Sequence, residues 1–131
     1  MTVTRSEYPE SIDDRLPTEE TDRTIASDKV EGTPVYDSDG ERIGKIQSVM
    51  IDKYTGKVVY AVMSFGGFIG LGERYHPLPW AVLRYDEKLE GYIVGLKKEA
   101  LESGPSFARD EPPVFDRAYG MGVYRYYGIV P

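Results

Sequence analysis

The chain of 131 residues has no cysteine, which excludes disulfides, thiolate metal sites and thiol nucleophiles together. That absence fits a reducing compartment. It has one histidine, His76, and one tryptophan, Trp80. A single imidazole without cysteine is not a zinc-ligand pattern. No serine elbow and no spaced carboxylate pair accompanies it, so neither a triad nor a glycosidase constellation assembles. The reading that follows is no enzyme, no metal and no cofactor. His76 could serve as a general base near neutral pH, but a strand histidine bonded to neighbouring backbone is the favoured reading.

Long apolar runs are also missing. The longest charge-free stretch, residues 58–72, holds four glycines and falls short of the roughly 20 apolar residues of a membrane span. The first residues carry acidic side chains and no apolar core, unlike a signal peptide. A cytoplasmic location is expected, with membrane association only through a partner. Clustered positive charge is absent too. Lys97-Lys98 is the densest basic pair and Glu99 follows it, whereas phosphate backbones select grouped Lys and Arg. Direct nucleic-acid binding is not expected.

What the chain does have is unevenly placed acidity. Residues 1–28 hold 8 acidic and 3 basic side chains, a net of −5, against 14 and 13 in residues 29–131, a net of −1. The first 27 residues read as an acidic disordered tail, too poor in large apolar groups to offset ordering entropy. A docking motif is the other reading of that tail. Residues 28–105 read as the folded domain, and residues 106–131 as a linker and C-terminal helical extension.

Asp39-Gly40 and Thr55-Gly56 supply two tight hairpin turns between apolar strands. Antiparallel strands joined this way curl into a barrel. Ile43 and Ile46 break the period of two beside Gly44, the mark of a β-bulge. Residues 58–65 are apolar on both parities, as in a strand covered on both faces. Pro77 and Pro79 argue for an edge. A last hairpin joins residues 83–86 to 91–94, with Tyr85 opposite Tyr92, and Trp80 is placed to plug a barrel end. Residues 97–103 form a short helix stopped by Gly104-Pro105. Phe115, Tyr119, Val123 and Tyr126/Tyr127 then recur at helical spacing, with Asp116 as cap and Gly128 as terminator. Gly120 and Gly122 inside that helix each cost about 1 kcal/mol against alanine, so it depends on tertiary packing.

Residues 32–37 and 40–46, then Ile51-Asp52, Thr55-Gly56-Lys57-Val58-Val59-Tyr60-Ala61-Val62, the glycine-rich residues 66–72 and Leu78-Pro79-Trp80, in that order, resemble PRC-barrel domains. Tyr126-Tyr127-Gly128 is similar to a C-terminal segment of some single-domain members. The resemblance implies a mostly β fold, a small, strongly bent antiparallel barrel of about six strands with one or two C-terminal helices. It also implies a non-catalytic adaptor that binds protein. The family is similar to the cytoplasmic domain of the photosynthetic reaction-centre H subunit and to the C-terminal domain of a ribosome maturation factor. Docking on a membrane-associated electron-transfer assembly is therefore the first expectation, and ribosome maturation through a ribosomal protein the alternative. A small-molecule-binding barrel, with residues 66–72 and His76 at its mouth, is the third.

Two groups of residues are candidates for partner contact. Phe68, Ile69 and Leu71 sit on the glycine-rich loop, which fits no phosphate-binding pattern and would present apolar groups together. Tyr124, Tyr126 and Tyr127, with Arg125, are of the types favoured at interfaces. They divide between intrachain packing and a homodimer or partner surface. Asp37-Ser38-Asp39-Gly40 looks faintly like a calcium loop, but Val35 and Ile46 fall where carboxylates are required, so it reads as a turn.

Overall fold

The computed structural model describes residues 23–66 and 73–130. Contacts divide the chain at Val30/Glu31. In the first unit Ser27–Val30 (α1) is one helical turn, closed by the Lys29 and Val30 amides on the Ala26 carbonyl. The expected tail, residues 1–27, lies mostly outside the described residues.

The second unit is built on strands Pro34–Tyr36 (β1), Arg42–Ile51 (β2), Val58–Gly66 (β3), Glu73–Pro79 (β4), Leu83–Asp86 (β5), Gly91–Val94 (β6) and Phe107–Ala108 (β7). Lys98–Glu102 (α2) and Arg117–Tyr126 (α3) complete it. The turns form because aspartates accept nearby backbone amides. Asp37 Oδ1 takes Asp39 and Glu41, both at 2.9 Å. Asp52 Oδ1 takes Tyr54 and Thr55, and Asp86 Oδ1 takes Lys88 and Leu89. The Thr55 and Tyr54 amides hold the Asp52 carboxyl below its usual range.

The strands form one sheet in the order β5-β6-β1-β2-β3-β4-β7. It is mostly β and bent as expected, but among the described residues it does not close. One pair is parallel: β6 returns alongside β1, with Val35 opposite Tyr92. The bend follows from irregular register. Val35 faces Gly44 and Tyr36 faces Arg42, which leaves Ile43 as the extra residue of a bulge. A second shift against β3 falls between Ile46 and Ser48. Gly44 is needed there, because a Cβ would collide with the Ser64 carbonyl of β3.

β3 has two buried faces, as its composition requires. Met63 faces His76 and Ala61 faces Leu78, so these four share the barrel interior. Val35, Ile46, Val94 and Leu101 are fully buried with them. Tyr60, Val62 and Ser64 face Pro79, Pro77 and Tyr75 on the opposite side. β4 carries its prolines without loss because β7 pairs only with Arg74 and Tyr75, short of Pro77. Tyr85 does pair with Tyr92, ring centroids 5.3 Å apart. Trp80 lies in a 3-10 turn, Trp80–Val82, and rests edge-on against Tyr92, partly exposed.

Candidate interaction surface

α3 is fastened at both ends by its own sequence. Asp116 Oδ1 accepts the Tyr119 amide at 2.9 Å. At the other end the Gly128 amide donates to Arg125 and the Ile129 amide to Tyr124, at 3.2 and 2.9 Å, a Schellman closure. Between these caps Gly120 and Val123 are buried, whereas Arg117, Ala118, Met121, Gly122 and Arg125 are exposed. The helix therefore presents one face to the barrel.

That face meets β3 at Tyr60. The Tyr60 ring lies 6.0 Å from Phe115 and 5.8 Å from Tyr124, and its hydroxyl sits where a Cβ on Gly120 would be. Gly120 is thus what lets the helix cross Tyr60. Phe107 of β7 extends the cluster, edge-on to Tyr75 at 5.7 Å and to Phe115 at 5.9 Å. Phe115 also packs on Tyr119. Aromatic pairs of this geometry each contribute about 0.5–1.5 kcal/mol beyond burial.

The tyrosine hydroxyls are served unequally. Tyr124 Oη donates to the Val59 carbonyl at 3.3 Å, and Tyr126 Oη to the Ala100 carbonyl of α2 at 2.6 Å. The hydroxyls of Tyr119 and Tyr127 are buried without a partner. Burial pushes both phenols above their ordinary pKa, and that of Tyr60 as well. A buried hydroxyl left unpaired costs about 1–3 kcal/mol. Tyr124, Tyr126 and Tyr127 therefore all contact their own chain, and Tyr126 keeps 43% of its surface exposed. The other three candidates, Phe68, Ile69 and Leu71, lie outside the described residues.

His76 is sealed in the interior at 3% exposure, with Phe65 at 5.2 Å. It bonds to backbone, as expected, but to Leu101 of α2 and not to a neighbouring strand. Its Nδ1 has no partner. Burial, with Arg74 nearby, lowers the imidazole to about 4, so it is neutral at pH 7. Asp37 is also turned inward, at 2% exposure, with Oδ1 occupied by the two amides of its turn. Among the described residues no three His, Asp or Glu side chains converge as metal ligands.

A family model of the PRC-barrel domain matches residues 22–101. The chain belongs to the PRC-barrel domain family. No curated protein matches it. The matched span of this PRC-barrel protein ends in α2, so β7, Phe115 and α3 lie beyond it. Of the surface features, Gly120 over Tyr60 is the one that helical spacing left unread. Its signal was present: a glycine one turn from both Asp116 and Val123–Tyr124 on the apolar stripe. Among the described residues, no helix is long and apolar enough to cross a membrane.

Proposed function

We propose that this PRC-barrel protein is a non-catalytic, cytoplasmic docking module for another protein. The observation that carries the reading is the set of large apolar side chains left in solvent on and beside α3. Val114 is 78% exposed, and Met121 and Tyr126 about half as much, at 40% and 43%. Large apolar side chains left in solvent are the kind that a contact surface uses. The β2–β3 tip adds Ile51 and Tyr54, the latter 97% exposed. The burial of His76 supports the non-catalytic part, because its imidazole has no solvent face from which to move a proton.

The finer reading is that the partner belongs to a membrane-associated electron-transfer assembly. Tagged capture from a native lysate, split into membrane and soluble fractions and repeated with RNase, tests it. A stoichiometric protein partner in the membrane fraction that survives RNase supports the reading. A ribosomal protein would shift it to ribosome maturation, and self-association alone would make it a homodimer. No partner in either fraction would overturn it.

A further inference from the structure

The C-terminal helix is held against the barrel in the manner of a ligand. Its contacts are a small residue at the crossing, Gly120 over Tyr60, with Tyr119 next to it in the chain, Val123 and Tyr124 one turn after, and Phe115 just ahead of the Asp116 cap. This is the anchor spacing by which an amphipathic helix enters a groove. The face beneath belongs to the barrel: Tyr60 of β3 meets Phe115, which packs on Phe107 of β7, and Phe107 packs on Tyr75 of β4.

The hold is also incomplete. The Tyr119 and Tyr127 hydroxyls are buried by α3 docking and gain no partner from it. Two glycines in a ten-residue helix weaken it further. Gly120 is explained by Tyr60, but a Cβ on Gly122 would meet nothing within 4 Å, so nothing in the chain requires glycine there. Residues 109–114 between β7 and Phe115 have no regular structure and are exposed except at Pro113, and such segments open at low free energy. With α3 and the adjoining Phe115 away, Tyr60 and Phe107 would lose the rings packed on them, leaving a surface that must be covered by something.

We infer that the face around Tyr60 is a helix-binding groove, that α3 is its resident cover, and that an amphipathic partner helix of the same pattern displaces it. The partner helix carries glycine or another small residue at the crossing over Tyr60 and aromatic side chains in the places of Tyr119 and Tyr124. This deepens the docking reading and rests on it.

The test uses the full chain and one probe, a fluorescent peptide of its own residues 114–130. Gly120→Ala drives a methyl into the Tyr60 hydroxyl and lifts the cover. Gly120→Ala/Tyr60→Phe removes that hydroxyl and lets the cover close. Gly122→Ala strengthens the helix in open space and tightens it. The expected order of peptide affinity is Gly120→Ala, then wild type, then Gly122→Ala, with about tenfold between the first two and the double variant near wild type. Amide exchange should rise over residues 117–126 in Gly120→Ala while β2 and β3 stay protected. Equal peptide binding in all four proteins would overturn the inference. So would wild-type α3 amides that exchange only with those of β3, and so would a Gly120→Ala dimer that takes no peptide, because the occupant would then be a second copy. Should Gly120→Ala not fold, wild type against Gly122→Ala decides, and equal affinity again overturns it. Partner capture from lysate at the same level in wild type, Gly120→Ala and Gly122→Ala would sink the groove and leave the docking reading standing.

Discussion

Lowering the pH from 7 to 5 should weaken this fold through a single side chain. His76 is neutral and buried in the native barrel, and its imidazole protonates only near pH 4, against 6.5 when free. Between those values the unfolded chain binds more protons than the native one, so stability falls as the pH falls. The stabilising contribution is whole above pH 6.5 and is lost on the way down to 4. Each pH unit in that window removes about 1.4 kcal/mol, so about 2 kcal/mol is gone by pH 5 and about 3 kcal/mol by pH 4. Those are large shares of the 5–15 kcal/mol typical of a domain. The assay is urea denaturation at pH 7 and pH 5 for wild type and His76→Gln, which keeps a donor for the Leu101 carbonyl but does not titrate. Carboxylates contribute equally to both proteins, so the difference in pH dependence belongs to His76. Because the chain has one histidine, its imidazole proton resonances report the same titration without overlap. Equal losses in both proteins, or an imidazole that titrates near 6.5, would refute the reasoning.

Three further substitutions probe the elements that shape the barrel and its cover. Gly44→Ala should cost about 2–3 kcal/mol, since the new methyl meets backbone of β3 that cannot move aside; a denaturation midpoint shift with unchanged slope would show it. Asp37→Ala leaves the Asp39 and Glu41 amides without their acceptor and should cost about 2–3 kcal/mol, with Asp52→Ala, at an exposed turn, costing less in the same assay. Asp116→Ala removes the α3 cap and should cost about 1 kcal/mol, read as faster amide exchange at residues 117–120 with β3 unchanged.

The elements legible from sequence are those whose hydrogen bonds close within a few residues. Asp37, Asp52 and Asp86 set their turns with amides two to four positions on. Asp116 and Gly128 delimit α3 by contacts within one turn of each end. The bulge beside Gly44 shows as a broken period of two, and the two covered faces of β3 show as apolar residues on both parities. Such features need no knowledge of what lies opposite. The same pattern also identified the family, since its motifs are turns and the strands next to them in a fixed order.

The rest depends on which distant segments meet. Local alternation cannot say that β6 comes back parallel to β1, nor that Phe107–Ala108 is long enough to pair with β4. It cannot say whether a glycine in a helix is a defect or a seat: Gly120 has Tyr60 across it, and Gly122 has open space. For Tyr124, Tyr126 and Tyr127 the residue types fit a core and an interface equally, because a phenol is apolar along its ring and polar at its tip. Only the fold brings the Val59 and Ala100 carbonyls within reach of two of those hydroxyls and leaves the third without a partner. Local chemistry thus determined the turns, the caps and the family, while the packing of α3 on β3, a contact across some sixty residues of chain, was decided by tertiary structure alone.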